Sequence, residues 1–396
     1  MLHFAAPITN VVSAKGPMAH VLILGGGFGG VAAGVELRKL LAPDDRITLV
    51  DRREQFYFGF RKTWALLGES TLAAGQRPLK SLERLGITVR HGTVEAIDPE
   101  ARAALIDGAR VEADALVVAL GAQSQPDGVP GFRGHGLNLY DGPGLAMAAE
   151  RLGQFPGGRV AIVILGIPYP CPPAPFELAL LLREYFGRKG VEAVIDVFTP
   201  QPMSLPVLGL AGCAVVENRL EASEVGFHPN HTPVSIESGA IQFKTARVAF
   251  DLMIGIPGHR CPSVGLASGL AGDGEWVKVN AITLETRYPG VYALGDMVSI
   301  PLANGKRLPQ AGVFAEAQAK VVAARIAASL AGLTPQATYD GTGFCFLEVG
   351  GGAAMLVQGN FLAAPEPEVR ILEPAPEHLQ AKRELERSRL ADWFGG

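Results

Sequence analysis

The hydrophobic residues of this chain cluster in runs of strand length that alternate with turns and helical segments. His20–Leu24 is mainly aliphatic, and an Ala- and Leu-rich segment extends to about Leu40 after a glycine-rich turn. The next short run, residues 47–50, ends in Asp51. Strands and helices that alternate in this way predict an α/β fold with parallel sheets.

The turn after the first strand predicts a dinucleotide site. Residues 25–30 read Gly-Gly-Gly-Phe-Gly-Gly, and Asp51 follows about 20 residues later, as in the G-x-G-x-x-G fingerprint. In that fingerprint Gly25 makes the tight turn, Gly27 lets the backbone approach a pyrophosphate, and Gly30 lets the helix pack on the strand. The helix amino terminus offers amide groups to the anion, and Asp51 would accept hydrogen bonds from a ribose.

Two later strands end in residues that suit a bound cofactor. Residues 115–121 form a buried strand that ends in glycine, and residues 289–296 form another that ends in Gly295 and Asp296. Glycine permits close approach of a ligand, and the strand end presents one carboxylate. Residues 309–312 (Pro-Gln-Ala-Gly) open a long helix that runs to Leu330.

A second strand-turn-helix unit begins at residues 159–165 but lacks a glycine fingerprint. Its strand runs into a proline-rich turn, residues 166–175, which contains Cys171, and then into a helix over residues 176–186. Because proline has no amide hydrogen, this turn has lost donors for a nicotinamide dinucleotide, and efficient use of NAD(P)H is not expected. A cysteine near a helix start lies where the helix dipole and amides favour the thiolate.

Taken together, the glycine fingerprint and residues 115–121 and 289–296 resemble the flavoproteins of the pyridine nucleotide–disulfide oxidoreductase superfamily. The resemblance covers nearly the whole chain from Met18. It implies FAD as cofactor and two Rossmann-like domains of the FAD/NAD(P)-binding type plus a small C-terminal segment. The FAD is expected to be noncovalent, because Gly59 stands where related flavocytochromes attach FAD through a cysteine.

The resemblance also implies domain boundaries and cofactor residues. We expect an N-terminal extension at residues 1–18, an FAD-binding domain at 19–150 and 271–333, a domain at 151–270 with a degenerate nucleotide site, and a C-terminal segment at 334–396. Arg61 and Lys62, with Trp64, could hold a phosphate or stack on a ring, or else form a solvated turn beside a core tryptophan. The residues expected to hold FAD are Gly25, Gly27, Phe28, Gly29, Gly30, Asp51, Arg52, Arg61, Lys62, Val94, Ala119, Gly121, Gly295, Asp296, Gln310, Ala311 and Gly312.

Two cysteine-bearing segments resemble those of flavocytochrome c sulfide dehydrogenases and sulfide:quinone oxidoreductases. They are residues 170–177 around Cys171 and residues 341–346 around Cys345. The resemblance implies that these cysteines form a redox pair above the flavin, with Cys345 nearer to it. Glu177 is a candidate proton shuttle, with an exposed first-turn carboxylate as the alternative. Cys213 and Cys261 lie outside these segments and are expected to be buried apolar residues.

The composition of the chain argues against several classes of partner and site. The 396-residue chain has a formal net charge of −4, so it has no basic excess to hold a phosphate backbone and nucleic acid is not an expected partner. Its four cysteines are too few for a disulfide scaffold, and neither they nor its histidines have metal-ligand spacing, so no metal is expected. No apolar span of about 20 residues is present, so the chain is not expected to cross a membrane. The tail at residues 377–394 could lie on a bilayer surface or dock on its own domain.

The leading hypothesis is FAD-dependent oxidation of sulfide to zero-valent sulfur or polysulfide through Cys171 and Cys345, with electrons leaving to a quinone or cytochrome c. The alternatives are an NADH:quinone-type FAD dehydrogenase and a flavin electron-transfer or sulfur-carrier protein without turnover. The expected location is the cytoplasm or a membrane surface, with the periplasm left open. The sequence does not specify an oligomeric state.

Overall fold

The computed structural model describes residues 18–140, 142 and 144–395. The predicted N-terminal extension, residues 1–18, lies outside the described residues apart from Met18. The described chain forms two parallel sheets with helices packed against them and a smaller antiparallel sheet near its end. The predicted α/β fold with two Rossmann-like units is confirmed.

The first sheet has five strands, and all neighbouring pairs are parallel. Its central strand, His20–Leu24, is buried along its whole length, as expected for an aliphatic run covered on both faces. In spatial order the strands are Val291–Ala293, Ala115–Val118, His20–Leu24, Arg46–Asp51 and Thr88–His91. The edge strand Val291–Ala293 comes from late in the chain. The second domain is therefore inserted between two strands of the first sheet.

The glycine turn brings the first helix, Phe28–Leu40, directly against the sheet. Gly25 has φ of +109°, which other residues rarely adopt. A Cβ atom at Gly30 would lie only 1.8 Å from the Gly25 carbonyl oxygen, so the helix can start this close to the strand only with glycine there. The long helix Gly312–Leu330 packs on the first helix, and a Cβ at Gly312 would lie 2.8 Å from the Phe28 ring.

The second sheet is also parallel and has five strands. The strand Leu137–Asn138 already belongs to it, so the change of domain comes before the predicted residue 150. The chain is back in the core of the first domain at Cys261, earlier than the predicted residue 271. In spatial order the strands are Leu137–Asn138, Leu252–Ile256, Gly158–Ile164, Ala193–Phe198 and Val225–His228.

Short antiparallel sheets and further helices complete the two domains. The strands are Gln55–Phe56 with Arg77–Pro78; Val94–Asp98, Ala103–Ile106 and Ala109–Glu112; Gln123–Ser124 with His259–Arg260; and Pro233–Glu237, Ala240–Phe243 and Arg247–Ala249. The helices are Arg61–Leu66, Leu72–Gly75, Phe132–His135, Leu145–Gly153, Ala174–Lys189, Gly209–Ala222 and Ser263–Ala267, with 3-10 turns at Leu79–Leu85, Pro126–Gly128, Pro206–Leu208 and Gly295–Met297. None of the described helices combines the length and apolarity needed to cross a bilayer.

The C-terminal segment is an antiparallel sheet followed by one helix. The strands are Thr342–Gly350, Ala353–Asn360 and Glu368–Ala375. The helix, Pro376–Phe394, buries Leu390 and packs Trp393 and Phe394 on Phe56 of the first domain, with ring centroids 5.7 and 5.3 Å apart. Of the two alternatives for the tail, the docked helix is therefore observed. Its buried aromatic end is not presented to a membrane in this conformation.

Charged residues also hold this helix in place. Lys382, Glu386 and Arg389 are four and three residues apart, so they share one face of the helix. All three point into the protein, where they find partners on distant segments. Lys382 pairs with Glu177 and Glu348, Glu386 with Arg61, and Arg389 with Glu316.

The pairing of Lys382 forms a buried group that we call the Lys382 cluster: Lys382, Glu177, Glu348 and Trp64. Lys382 Nζ donates to both oxygens of Glu177, at 2.8 and 2.9 Å, and to Glu348 Oε1 at 2.7 Å. Trp64 Nε1 donates to the same Glu348 oxygen at 2.7 Å. The cluster therefore joins the helix after Cys171, the strand that carries Cys345 and the C-terminal helix.

The cluster contains two buried carboxylates and one ammonium. The alternative of an exposed Glu177 is wrong, because its side chain is only 5% exposed. Burial raises the pKa of Glu177, although the positive charge of Lys382 opposes the shift. A proton on Glu177 would leave one carboxylate and one ammonium, the balanced arrangement that burial favours.

Gly30→Ala should destabilise the protein, because the new methyl group meets the Gly25 carbonyl. Gly34→Ala on the same helix is the matched control, since a Cβ there has only ordinary contacts of 3.4 Å or more. We expect Gly30→Ala to lower the free energy of unfolding by about 1–3 kcal/mol and Gly34→Ala to leave it unchanged or raise it by up to about 1 kcal/mol. Urea unfolding measures both, and equal effects would contradict the packing described.

Lys382→Met should destabilise far more than removal of an exposed lysine, because it leaves two carboxylates buried without a cation. The control is Lys39→Met, whose side chain is 62% exposed and pairs with Glu36. We expect losses of about 3–5 kcal/mol for Lys382→Met and at most about 1 kcal/mol for Lys39→Met.

The stability lost in Lys382→Met should also depend on pH. Without the ammonium, the folded-state pKa of Glu177 rises further above its unfolded value. Stability from such a carboxyl is present at low pH and is lost as pH rises through the folded pKa. Denaturant unfolding should therefore show a larger loss at pH 8 than at pH 5, and a loss that is smaller at pH 8 would refute the assignment of charges in the cluster.

Candidate active site

One cavity of about 820 Å³ connects the glycine turn with the two predicted redox cysteines. Gly27 and Asp51 line one end, and Cys171 and Cys345 line the other. A cleft of this size and depth, with a few polar groups on apolar walls, is typical of a cofactor site. The fold therefore places the dinucleotide fingerprint and the cysteines on one continuous surface.

At the fingerprint end, Asp51 is held by backbone and side-chain donors. Its Oδ2 accepts from the Gly26 amide at 2.6 Å, and its Oδ1 accepts from the Arg53 amide at 2.7 Å. Burial works to raise the pKa of Asp51, but hydrogen bonds and the charge of Arg53 outweigh it and hold the pKa below its usual value. Arg53 lines the cavity and was missed by the sequence prediction. Its only sequence signal is its place two residues after the fingerprint acid.

Three features of the cavity wall fit FAD. Ser124 lines the cavity, and its hydroxyl is buried without a protein partner, so it is suited to bind a polar ligand. Asp296 lines the cavity as well, and burial raises its pKa to about 6. Such a carboxyl is suited to bind the hydroxyls of a ribityl chain. The helix that starts at Gly312 presents its positive amino terminus to the same space.

Most residues expected to hold FAD lie on the cavity wall. Gly25 and Gly30 instead lie beneath it, where they shape the turn. Arg61 and Gln310 do not line it. The predicted residues that do line it are Gly27, Phe28, Gly29, Asp51, Arg52, Lys62, Val94, Ala119, Gly121, Gly295, Asp296, Ala311 and Gly312.

The assignment of Arg61 to the cofactor is corrected by the structure. Its guanidinium is buried against Glu386 of the C-terminal helix and donates to Ser70 at 2.6 Å. Trp64 is a core residue whose indole donates to Glu348. Two of the three groups in this segment therefore serve the docking of the C-terminal helix. Lys62 alone lines the cavity.

Gln310 has a different place from the one predicted. Its backbone carbonyl accepts from the Cys171 amide at 2.7 Å, and its side-chain Nε2 donates to the Asp296 carbonyl oxygen at 2.7 Å. The residue therefore links the cysteine loop to the turn that carries Asp296. It is a positioning residue between the two halves of the site.

The two cysteines lie close together although they come from different domains of the chain. Cys171 has φ of +57°, an uncommon value for a residue other than glycine. Two backbone hydrogen bonds support this conformation. The Cys171 amide donates to the Gln310 carbonyl, and the Ala174 amide donates to the Cys171 carbonyl at 2.9 Å. Cys345 lies in the strand Thr342–Gly350, opposite Val357. Each thiol is half-buried, and the two side chains lie close enough to act on each other's pKa.

The two thiols act on each other's pKa in opposite directions. Hydrogen bonding with Cys345 raises the pKa of Cys171, and burial raises it further. Hydrogen bonding with Cys171 lowers the pKa of Cys345 in spite of burial. The sequence placed the favoured thiolate at Cys171, whereas the thiol with the lowered pKa is that of Cys345.

The proline-rich turn around Cys171 is part of a closely packed loop. The turn after the strand Gly158–Ile164 lies against residue 258, where a Cβ added to Gly166 would be 3.2 Å from the Gly258 Cα. The His259 amide donates to the Pro168 carbonyl at 2.8 Å. The next strand, Ala193–Phe198, ends without the acid that would bind an NAD ribose, since Thr199 follows it.

Comparison with known proteins agrees with this geometry. Residues 19–319 match the family model described as pyridine nucleotide-disulphide oxidoreductase. The mitochondrial sulfide:quinone oxidoreductase of Mus musculus is 20% identical over 366 residues, which cover 87% of this chain and 79% of the relative. The alternative NAD(P)H-ubiquinone oxidoreductase C1 of Arabidopsis thaliana is 24% identical over 353 residues, covering 73% and 63% respectively.

The X-ray structure of the sulfide:quinone oxidoreductase from Aquifex aeolicus has the same fold. It superposes with a TM-score of 0.84 at 22% identity and covers 95% of this chain and 91% of that chain. The family model spans well over half of the sequence. The chain therefore belongs to the pyridine nucleotide-disulphide oxidoreductase family, and it is a flavin oxidoreductase whose cofactor is FAD.

Proposed function

We propose that this protein oxidises sulfide to zero-valent sulfur and passes the electrons through FAD to a quinone or a cytochrome. The observation that carries the proposal is that Cys171 and Cys345 line the same wall of the FAD cavity, where each acts on the pKa of the other. A thiol pair that lies close together can exchange sulfur and electrons by thiol–disulfide chemistry. The relatives named sulfide:quinone oxidoreductases support the same assignment.

In the proposed cycle, hydrosulfide attacks Cys171 in a Cys171–Cys345 disulfide. The new S–S bond makes a persulfide on Cys171, and the broken bond leaves Cys345 as a thiolate. We take Cys345 as the leaving sulfur, because a thiol of lower pKa leaves faster and the pKa of Cys345 is the lower of the two in the reduced pair.

A second sulfur anion then removes the outer sulfur of the Cys171 persulfide. The product is a zero-valent sulfur bound in a polysulfide, and Cys171 is released as a thiolate. The electron pair that sulfide has lost now resides on the two reduced cysteines. Bound FAD supplies the acceptor for that pair, and loss of the pair re-forms the disulfide.

Glu177 is placed to handle the protons of this cycle. It lines the cavity, and the charges of Glu177 and Lys382 both influence the two thiols. A carboxyl with a raised pKa takes up a proton more readily than an ordinary one and can pass it on. In this proposal Glu177 takes up the proton that sulfide sheds, and Lys382 stabilises the carboxylate when the proton leaves.

A second candidate is oxidation of NAD(P)H, because one similar relative is an alternative NAD(P)H-ubiquinone oxidoreductase. The proline-rich loop and the missing ribose acid weigh against it. Under the third hypothesis, a flavin or sulfur carrier without turnover, neither sulfide nor NAD(P)H reduces the flavin. The three therefore differ in which reductant bleaches FAD.

Anaerobic sulfide should bleach the flavin of the wild type rapidly, whereas NADH should not. Cys171→Ser and Cys345→Ser should each slow the bleaching on the order of 10³-fold or more, because they remove one member of a unit that acts together. Cys213→Ser is the control, since Cys213 is buried in the helix Gly209–Ala222. It should bleach like the wild type. Stopped-flow absorption measures the rates, and FAD content should be equal in all four proteins.

Other results of the bleaching experiment would favour one of the other hypotheses. Bleaching by NADH but not by sulfide would favour the dehydrogenase, and bleaching by neither would favour a carrier. Unchanged bleaching in both serine variants at Cys171 and Cys345 would remove the cysteine mechanism.

A further inference from the structure

We propose that Lys62, Tyr140 and His259 form a subsite that binds the hydrosulfide anion next to Cys171. The inference rests on the proposed function and adds to it the place where substrate is held before it reacts. The three residues come from the helix Arg61–Leu66, from the segment after the strand Leu137–Asn138 and from the strand His259–Arg260. All three line the FAD cavity.

The three side chains are arranged around the Tyr140 ring. Lys62 Nζ lies over that ring, 4.6 Å from its centroid. The His259 ring meets it edge to face, with centroids 5.2 Å apart. An ammonium and an imidazole are thus held on one aromatic platform inside the cavity, an arrangement that cation–π attraction stabilises.

The platform is fixed to the loop that carries Cys171. The Tyr140 hydroxyl donates to the carbonyl of Pro170, the residue before the cysteine. The His259 amide donates to the Pro168 carbonyl at 2.8 Å. Burial raises the pKa of Tyr140, and the charge of Cys171 adds to that effect, which places the phenol near the sulfur. A ligand on this platform would therefore lie beside Cys171.

The polar groups of the platform match both features of hydrosulfide, its negative charge and its S–H bond. Lys62 supplies a cation in a cavity where charge attraction exceeds that in water. His259 Nδ1 lies 3.0 Å from the Pro257 carbonyl oxygen, which can only accept, so Nδ1 carries the hydrogen. In the neutral ring Nε2 is then an acceptor for an S–H group.

His259 stays neutral under working conditions, as this role requires. Burial, aided by the charge of Lys62, lowers its pKa to about 4, while the Pro257 carbonyl opposes the shift. The Tyr140 ring adds an apolar surface of the kind that sulfur contacts favourably. The platform thus combines one cation, one acceptor and one aromatic face.

The other cations on the wall of the described cavity are less suited to this role. Lys382 lies over the rings of Phe60 and Trp64, away from the Tyr140 platform. Arg52 and Arg53 lie beside Asp51 at the fingerprint end. Lys62 is the cation whose ring partner is bonded to the cysteine loop.

The first test compares Lys62→Met with the wild type across a series of sulfide concentrations, with anaerobic flavin bleaching as the readout. We expect the sulfide concentration for half-maximal rate to rise about 10-fold, which corresponds to loss of about 1.4 kcal/mol of binding. The limiting rate should change little, because the cysteines remain. Lys62→Arg should restore binding. Lys189→Met removes another lysine 4.6 Å from a tyrosine ring, that of Tyr185, and should behave like the wild type.

The second test uses thiocyanate, an anion that does not donate electrons to the flavin. It should perturb the flavin absorption of the FAD-loaded wild type with saturation, and Lys62→Met should abolish that change. His259→Phe should weaken sulfide binding but not thiocyanate binding, because thiocyanate has no hydrogen to donate.

The outcomes separate the subsite from the proposed function. Saturable thiocyanate binding that needs Lys62, in a wild type that sulfide fails to bleach, would support the anion site and overturn sulfide oxidation. If Lys62→Met saturates at the same sulfide and thiocyanate concentrations as the wild type, the subsite is overturned, whatever the cysteine variants show. Loss of FAD from Lys62→Met would also overturn it and would assign Lys62 to the cofactor.

Discussion

The buried contact of Lys382 with Glu177 and Glu348 is the interaction on which the active site depends. Glu177 lies one turn into the helix that follows Cys171, and Glu348 lies three residues after Cys345 on its strand. By binding both carboxylates, Lys382 holds together the two segments that carry the thiols. Burying three charged groups is costly, so any change that leaves one of them without a partner is expected to loosen the sulfur site.

The loop that carries Cys171 explains how a nucleotide-binding fold can use an electron donor other than a nicotinamide dinucleotide. The second domain keeps its parallel sheet, but a proline-rich loop occupies the turn where a nicotinamide dinucleotide would find amide donors. That loop presents Cys171 in a left-handed conformation, supported by Gln310 and Tyr140. The C-terminal sheet supplies Cys345. In the proposed function the reductant is thus a small sulfur anion that needs little space above the flavin.

Local sequence patterns predicted much of the fold. The strand His20–Leu24, the helix Phe28–Leu40 and the glycine turn between them follow from short-range rules, and the structure confirms them. The Lys382 cluster could not be predicted this way, since its members lie far apart in the sequence and only tertiary packing joins them. For the same reason Arg61 was assigned to the cofactor, although its partner Glu386 is 325 residues away. The order of the two thiol pKa values likewise depends on a proximity that neither segment reveals.

The central claim is that sulfur is transferred to one member of the Cys171–Cys345 pair. Mass spectrometry tests it most directly. Oxidised enzyme is mixed anaerobically with one equivalent of sulfide and quenched with an alkylating agent before the cysteine peptides are analysed. We predict one added sulfur atom on the Cys171 peptide and an alkylated thiol on Cys345. Flavin reduction without added sulfur on either peptide would contradict the claim.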